Sequence, residues 1–178
     1  LTKVIVFAVC KTQLCTERMR TQHNKSKRSK PSTMLNFNKY VHEGEQFVHE
    51  VAVEMGASWD MIKAVRILRA VLHALRSRLT PEHSLQMIAQ FPMLIKAIYV
   101  DGWKISNEAK TLRHLGDFIE AVREHGGAGL SAHLVTDYEA TQAIHAVFNV
   151  VKKHVSKGEI QDILATLPME LRPLMVDA

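Results

Sequence analysis

Apolar positions recur at helical spacing almost from Asn36 to the end of the chain. Phe37, Tyr40, Val41, Phe47, Val48, Val51, Ala52 and Met55 fall at i, i+3, i+4 and i+7 and predict a first helix. Asn36 is placed to cap it and Gly56 to stop it. A second helix is predicted from about Asp60 to about Leu79, where Met61, Ala64, Val65, Leu68, Val71, Leu72, Leu75 and Leu79 make one stripe. Thr80-Pro81 reads as an N-cap followed by proline in the first turn, opening a short helix with Leu85, Ile88 and Ala89. Pro92 restarts the chain into a fourth helix, carrying Ile95, Ile98 and Tyr99 and ending at Asp101-Gly102.

The plan then repeats. Ala70-Val71-Leu72 returns as Ala146-Val147-Phe148, and Phe91-Pro92-Met93 as Leu167-Pro168-Met169, at a constant offset of 76 residues. Phe47 and Phe118 correspond at 71, so the connection after the fifth helix is about five residues longer than its counterpart. Leu112, Leu115, Phe118, Ile119 and Val122 define that fifth helix, and His125-Gly126-Gly127-Ala128-Gly129 is expected to follow it as a flexible loop. A long helix should run from about Asp137 to His154. Ser156 and Glu159 should form a capping box, and Pro168 should open the last helix. No stretch alternates in the manner of a strand. The expected fold is all-α, with two repeated four-helix units, residues 34–105 and 106–178, packed into one helical domain. Either unit alone would leave an apolar face in water, and packing the two together hides it.

Charge changes the picture only at the N-terminus. Residues 1–33 hold eight of the 23 Lys and Arg residues and one of the 18 acids, leaving 15 basic and 17 acidic residues for the rest. The basic pI therefore belongs to the first segment, which reads as a disordered basic leader ahead of a body starting at Met34. Its apolar run Val4–Val9 is a poor export signal, and no run approaches the roughly 18 apolar residues of a membrane span. Both cysteines, Cys10 and Cys15, lie in this leader, so no disulfide staples the body, in keeping with a cytoplasmic setting.

Two stretches carry a family resemblance. The first is Arg69-Ala70-Val71-Leu72-His73-Ala74-Leu75-Arg76-Ser77-Arg78-Leu79 with Ala89-Gln90-Phe91-Pro92-Met93-Leu94 and Asp101-Gly102-Trp103. The second is His154-Val155-Ser156-Lys157-Gly158-Glu159-Ile160 with Leu167-Pro168-Met169-Glu170-Leu171-Arg172. Over about residues 36–178 the chain resembles the bacterial domain-of-unknown-function 2267 family. Val100 departs from it, standing where the family often has a second aromatic. The resemblance implies a soluble, all-helical bacterial protein and supplies no activity.

Candidate chemistry is sparse. At about 100° per residue, Lys63, Arg66, Arg69, His73 and Arg76 fall opposite the apolar stripe of the second helix, on a face expected to point outward. Such a face binds phosphate, nucleic acid or an acidic protein surface, or is simply solvated. The copy at offset 76 carries Glu139, Gln142, His145, Asn149 and Lys152 instead, so the repeated fold does not require it. Trp103 is either a partner anchor or a plug at the join between the repeats. His42, Glu45 and His49 share a helix face, but no second helix is expected to complete a metal shell. No Walker loop, nucleophile elbow, dinucleotide fingerprint or H-E-x-x-H is present, and no cofactor is implied. The leading expectation is a non-catalytic protein-interaction module binding another protein or itself. Ile62 and Ile67, outside the main stripe, leave room for a dimer contact. The alternatives are nucleic-acid binding through the leader and the basic face, and a small-ligand sensor or enzyme with a pocket between the halves.

Overall fold

In a computed structural model, residues 36–105, 114–131 and 133–176 are described, and the statements below concern those residues. The leader and Leu112 lie outside them. The described residues form nine helices: α1 Phe37–Glu54, α2 Met61–Arg76, α3 Pro81–Ala89, α4 Met93–Val100, α5 Leu115–Gly126, α6 Ala128–Ser131, α7 Asp137–His154, α8 Lys157–Thr166 and α9 Arg172–Val176. No strand is found among them, and the protein is all-α. None of these helices is long and apolar enough to cross a membrane.

The helix starts follow from local chemistry. Asp60 and Thr80 each accept a hydrogen bond from the backbone N–H three residues on, satisfying one of the donors orphaned at a helix start. Thr136 and Glu139 form a full capping box at α7. The box expected at α8 is only half made. The Glu159 N–H donates to Ser156 Oγ at 3.4 Å, but the Ser156 N–H donates to Gln90 Oε1 at 2.7 Å. A residue at the end of α3 thus completes the cap of α8, fastening two elements 66 residues apart in sequence.

α2 and α7 are the central helices. α1 packs on α2 and α7, and α5 packs on both as well, with α2 against α5 the most extensive contact. α1 and α5 therefore each lie on both central helices. The core follows this crossing. Phe47 and Val51 of α1, Ile67, Leu68, Val71, Leu72 and Leu75 of α2, Phe118 and Val122 of α5, and Ile144, Val147 and Phe148 of α7 have no exposed surface. Each such side chain stabilises the fold by roughly 1.5–3 kcal/mol relative to staying in water.

Several expectations are corrected. α2 ends at Arg76, and Leu79 is buried from the turn beyond it. The stretch expected as a flexible loop is mostly helical: His125 and Gly126 end α5, and Ala128 and Gly129 begin the one-turn helix α6. α9 starts at Arg172, after a turn that begins past Pro168. Ile67 is wholly buried, leaving Ile62 as the exposed isoleucine of that pair. The largest correction concerns His73 and Arg76, expected to point outward and found 6% and 9% exposed. The reason is tertiary: α5 covers the face of α2 that a helix in a two-layer packing would turn to solvent.

Candidate functional site

The last turn of α4 explains the two buried polar residues. A helix leaves its final four carbonyls without intrahelical partners. In α4 the Ala97 and Val100 carbonyls accept from the N–H groups of Asp101 and Trp103, closed by Gly102 at φ +62°. The other two receive side chains from α2. His73 donates from Nε2 to the Ile98 carbonyl at 2.8 Å, and Arg76 donates to the Tyr99 carbonyl and, at 3.1 Å, to that of Asp101. A cationic group at a helix C-terminus also meets the negative end of the dipole. Beneath Arg76 lie the rings of Tyr99 and Trp103, with centroids 5.9 and 5.8 Å from the guanidinium carbon. Trp103 meets Tyr99 edge-on at 5.8 Å and packs against the core, so the structure gives it a packing role. The Tyr99 hydroxyl hydrogen-bonds to buried Ser84 at 2.8 Å, and burial pushes its pKa up to about 12.

Above this turn an open cleft of about 510 Å³ separates α2 from the ends of α4 and α5. α2 contributes Arg66, Arg69, His73 and Arg76; Asp101 and Gly102 come from the end of α4, and Glu124, His125 and Gly126 from that of α5. Four of the six predicted binding residues are thus brought together. The other two are not. Lys63 turns into a separate cleft of about 240 Å³ with Glu54 and Glu139, and Trp103 lies behind the basic cleft. The sequence reading did not place Asp101, Glu124 and His125 in a site, since each is an unremarkable residue at a helix end.

The electrostatics of the cleft are uneven. Arg69 pairs with Asp101 at 2.6 Å, with both side chains about half exposed. Arg76 spends its donors on carbonyls. Arg66 is exposed and makes no ion pair among the described residues. The ring of His125 meets His73 edge-on at 5.8 Å. Burial pushes the His73 imidazole below its ordinary value; the bond to Ile98 opposes this, and neighbouring Arg76 and Arg69 add to it. His73 is therefore a neutral donor near pH 7.

The sequence offsets supply an internal comparison. Glu54 stands where His125 does, and Asn149 where His73 does. There the Asn149 amide donates to Glu54 at 3.3 Å, and Lys153 pairs with Glu54 at 2.6 Å, which holds the Glu54 carboxyl below its usual range. Gln142 stands in the place of Arg66. One junction is tied by an acid and its partners, while the other is lined by three arginines and two histidines. Among the described residues, no serine, threonine or cysteine lines the basic cleft. His42, Glu45 and His49 line an apolar groove between α1, α2 and α4, and no group of three or more metal-ligating residues occurs among the described residues.

No curated protein matches the chain. The family model described as "Uncharacterized conserved protein (DUF2267)" matches residues 44–174, a span that contains α2, α4 and α5 and every residue of the cleft. The chain belongs to the DUF2267 family.

Proposed function

We propose that this protein is a non-catalytic, cytoplasmic protein-interaction module whose basic cleft receives acidic side chains of a partner protein. The observation that carries the reading is Arg66, an exposed guanidinium with no carboxylate partner among the described residues, beside Arg69 at the mouth of a 510 Å³ cleft. Arginine offers a planar fork of donors that matches a carboxylate, and its charge cannot be titrated away near neutral pH. Asp101 holds the Arg69 guanidinium in place and is displaced or shared when a second carboxylate arrives. The Asp101 and Glu124 carboxylates on the cleft walls disfavour a continuous phosphate track, and residues 34–178 carry a formal charge of −2. Both points favour a few acidic side chains over a nucleic acid.

The test is calorimetric titration of the full chain with a hexaglutamate peptide, a hexalysine peptide and a single-stranded oligothymidine. The expected result is saturable binding of hexaglutamate alone, weakened by salt and lost in the Arg66→Ala, Arg69→Ala double variant. Binding that survives that double variant, or oligothymidine bound more tightly than hexaglutamate, refutes the proposal.

A further inference from the structure

The apolar groove lies beside the cleft, on an adjoining strip of the α2 surface. It has a volume of about 760 Å³ and is bounded by α1, the N-terminal half of α2, and α4. Met61 and Val65 line it from α2, and Leu94 and Ile98 from α4. Val65 and Leu94 are each 38% exposed, and Ile62 on the adjoining face of α2 is 69% exposed. Along α2, Ile62, Val65, Arg66 and Arg69 stand at i, i+3, i+4 and i+7, one unbroken face that is apolar in its first turn and basic in the next. α4 repeats the junction: Ile98 lines the groove while its carbonyl accepts from His73 at the floor of the cleft. Arg69 and Asp101 bridge the two helices where apolar lining gives way to charge.

The fold does not demand this apolar surface. By the offset of 76, Met61, Val65 and Leu94 correspond to Asp137, Thr141 and Glu170. Glu170 accepts from the Leu115 N–H at 2.9 Å and pairs with His114 at 3.1 Å, tying down the start of α5. Where the second half has a polar tie, the first half has an open apolar trough beside a cationic mouth.

We infer that groove and cleft form one docking surface for an amphipathic helix of a partner protein, its apolar stripe lying on Val65, Leu94 and Ile98 and carboxylates at one end meeting Arg66 and Arg69. The helix-in-groove mode supplies apolar burial, and the charge at one end fixes the direction in which the helix lies. This inference rests on the acidic-partner reading and adds the shape and polarity of the partner.

The experiment is selection of a displayed library of helical peptides, about 18 residues long, against the full chain. Selected peptides are then measured by fluorescence anisotropy against wild type, a groove variant (Val65→Thr, Leu94→Gln) and a cleft variant (Arg66→Ala, Arg69→Ala), each first checked for an unchanged thermal transition. The expected peptides carry apolar residues at i, i+3 or i+4 and i+7 with Asp or Glu clustered at one end. Both variants should bind them at least tenfold more weakly. Acidic peptides without an apolar stripe, sensitive to the cleft variant alone, overturn the inference and leave the acidic-partner reading standing. Apolar peptides indifferent to the cleft variant overturn both. No enriched peptide also overturns the inference, as does a self-associating chain that the groove variant turns monomeric, since the groove then belongs to a second copy.

Discussion

Arg76 and Tyr99 meet twice: the guanidinium donates to the Tyr99 main-chain carbonyl and also lies 5.9 Å from the centre of its ring. A charged side chain 9% exposed is retained at this depth because the end of α4 presents carbonyls that nothing else reaches. Arg76→Met keeps the alkyl stem but strands those carbonyls. It should cost about 2–4 kcal/mol, read as a lowered urea midpoint with unchanged slope. Arg69→Met, which breaks a half-exposed pair with Asp101, should cost less than about 1 kcal/mol. Equal losses in the two variants would contradict the assignment of Arg76 as a helix cap.

His73 makes stability depend on acidity. Its native pKa lies below the value of about 6.5 expected of the unfolded chain. As pH falls below that, the unfolded state takes up the proton first and stability declines until the native pKa is passed. Urea midpoints should therefore fall as the pH drops below about 6.5, and His73→Gln, which keeps a donor for Ile98, should flatten that slope. Glu54, held below its usual range chiefly by Lys153, contributes in a separate window below about pH 4.5, where protonation removes its stabilising contact with α7.

Tyr99 and Ser84 make a buried hydroxyl pair at 2.8 Å. Tyr99→Phe should cost about 1–2 kcal/mol, because it leaves the Ser84 hydroxyl with a lost partner in a dry site. Adding Ser84→Ala should recover part of that loss. A double-mutant cycle with no coupling would show that the two hydroxyls act independently.

Two glycines should respond oppositely to alanine. A Cβ on Gly44 would stand 2.9 Å from Leu94 Cβ, close to the α4 backbone, where relief requires the helices to part. Gly44→Ala should destabilise by about 1–3 kcal/mol despite the better helix propensity of alanine. A Cβ on Gly116, in the first turn of α5, meets nothing within 4 Å. Gly116→Ala should stabilise by about 0.4–1 kcal/mol. Thermal melts of the two variants check both signs.

The helices themselves were legible in the sequence because they rest on local rules. Thr80 caps the start that its side-chain chemistry suits, and Phe47 and Leu68 are buried as their spacing requires, while Phe37 and Val65 of the same two stripes stay exposed. The family was legible too, carried by a central motif and a C-terminal one. α7 starts 76 residues after α2, at the offset between the two matching sequence stretches.

What the sequence could not determine was which face of α2 stays in water. A periodicity argument gives a helix one apolar side and one wet side, and by that rule His73 and Arg76 look like surface residues. The packing of α5 over that side decided otherwise and brought Asp101 and His125, distant in sequence, to the same cleft. Local hydrogen bonding and hydrophobic period act over three or four residues and leave their mark in the order of residues. Burial of a polar side chain depends on which helices close around it, and that is settled only when the whole chain packs.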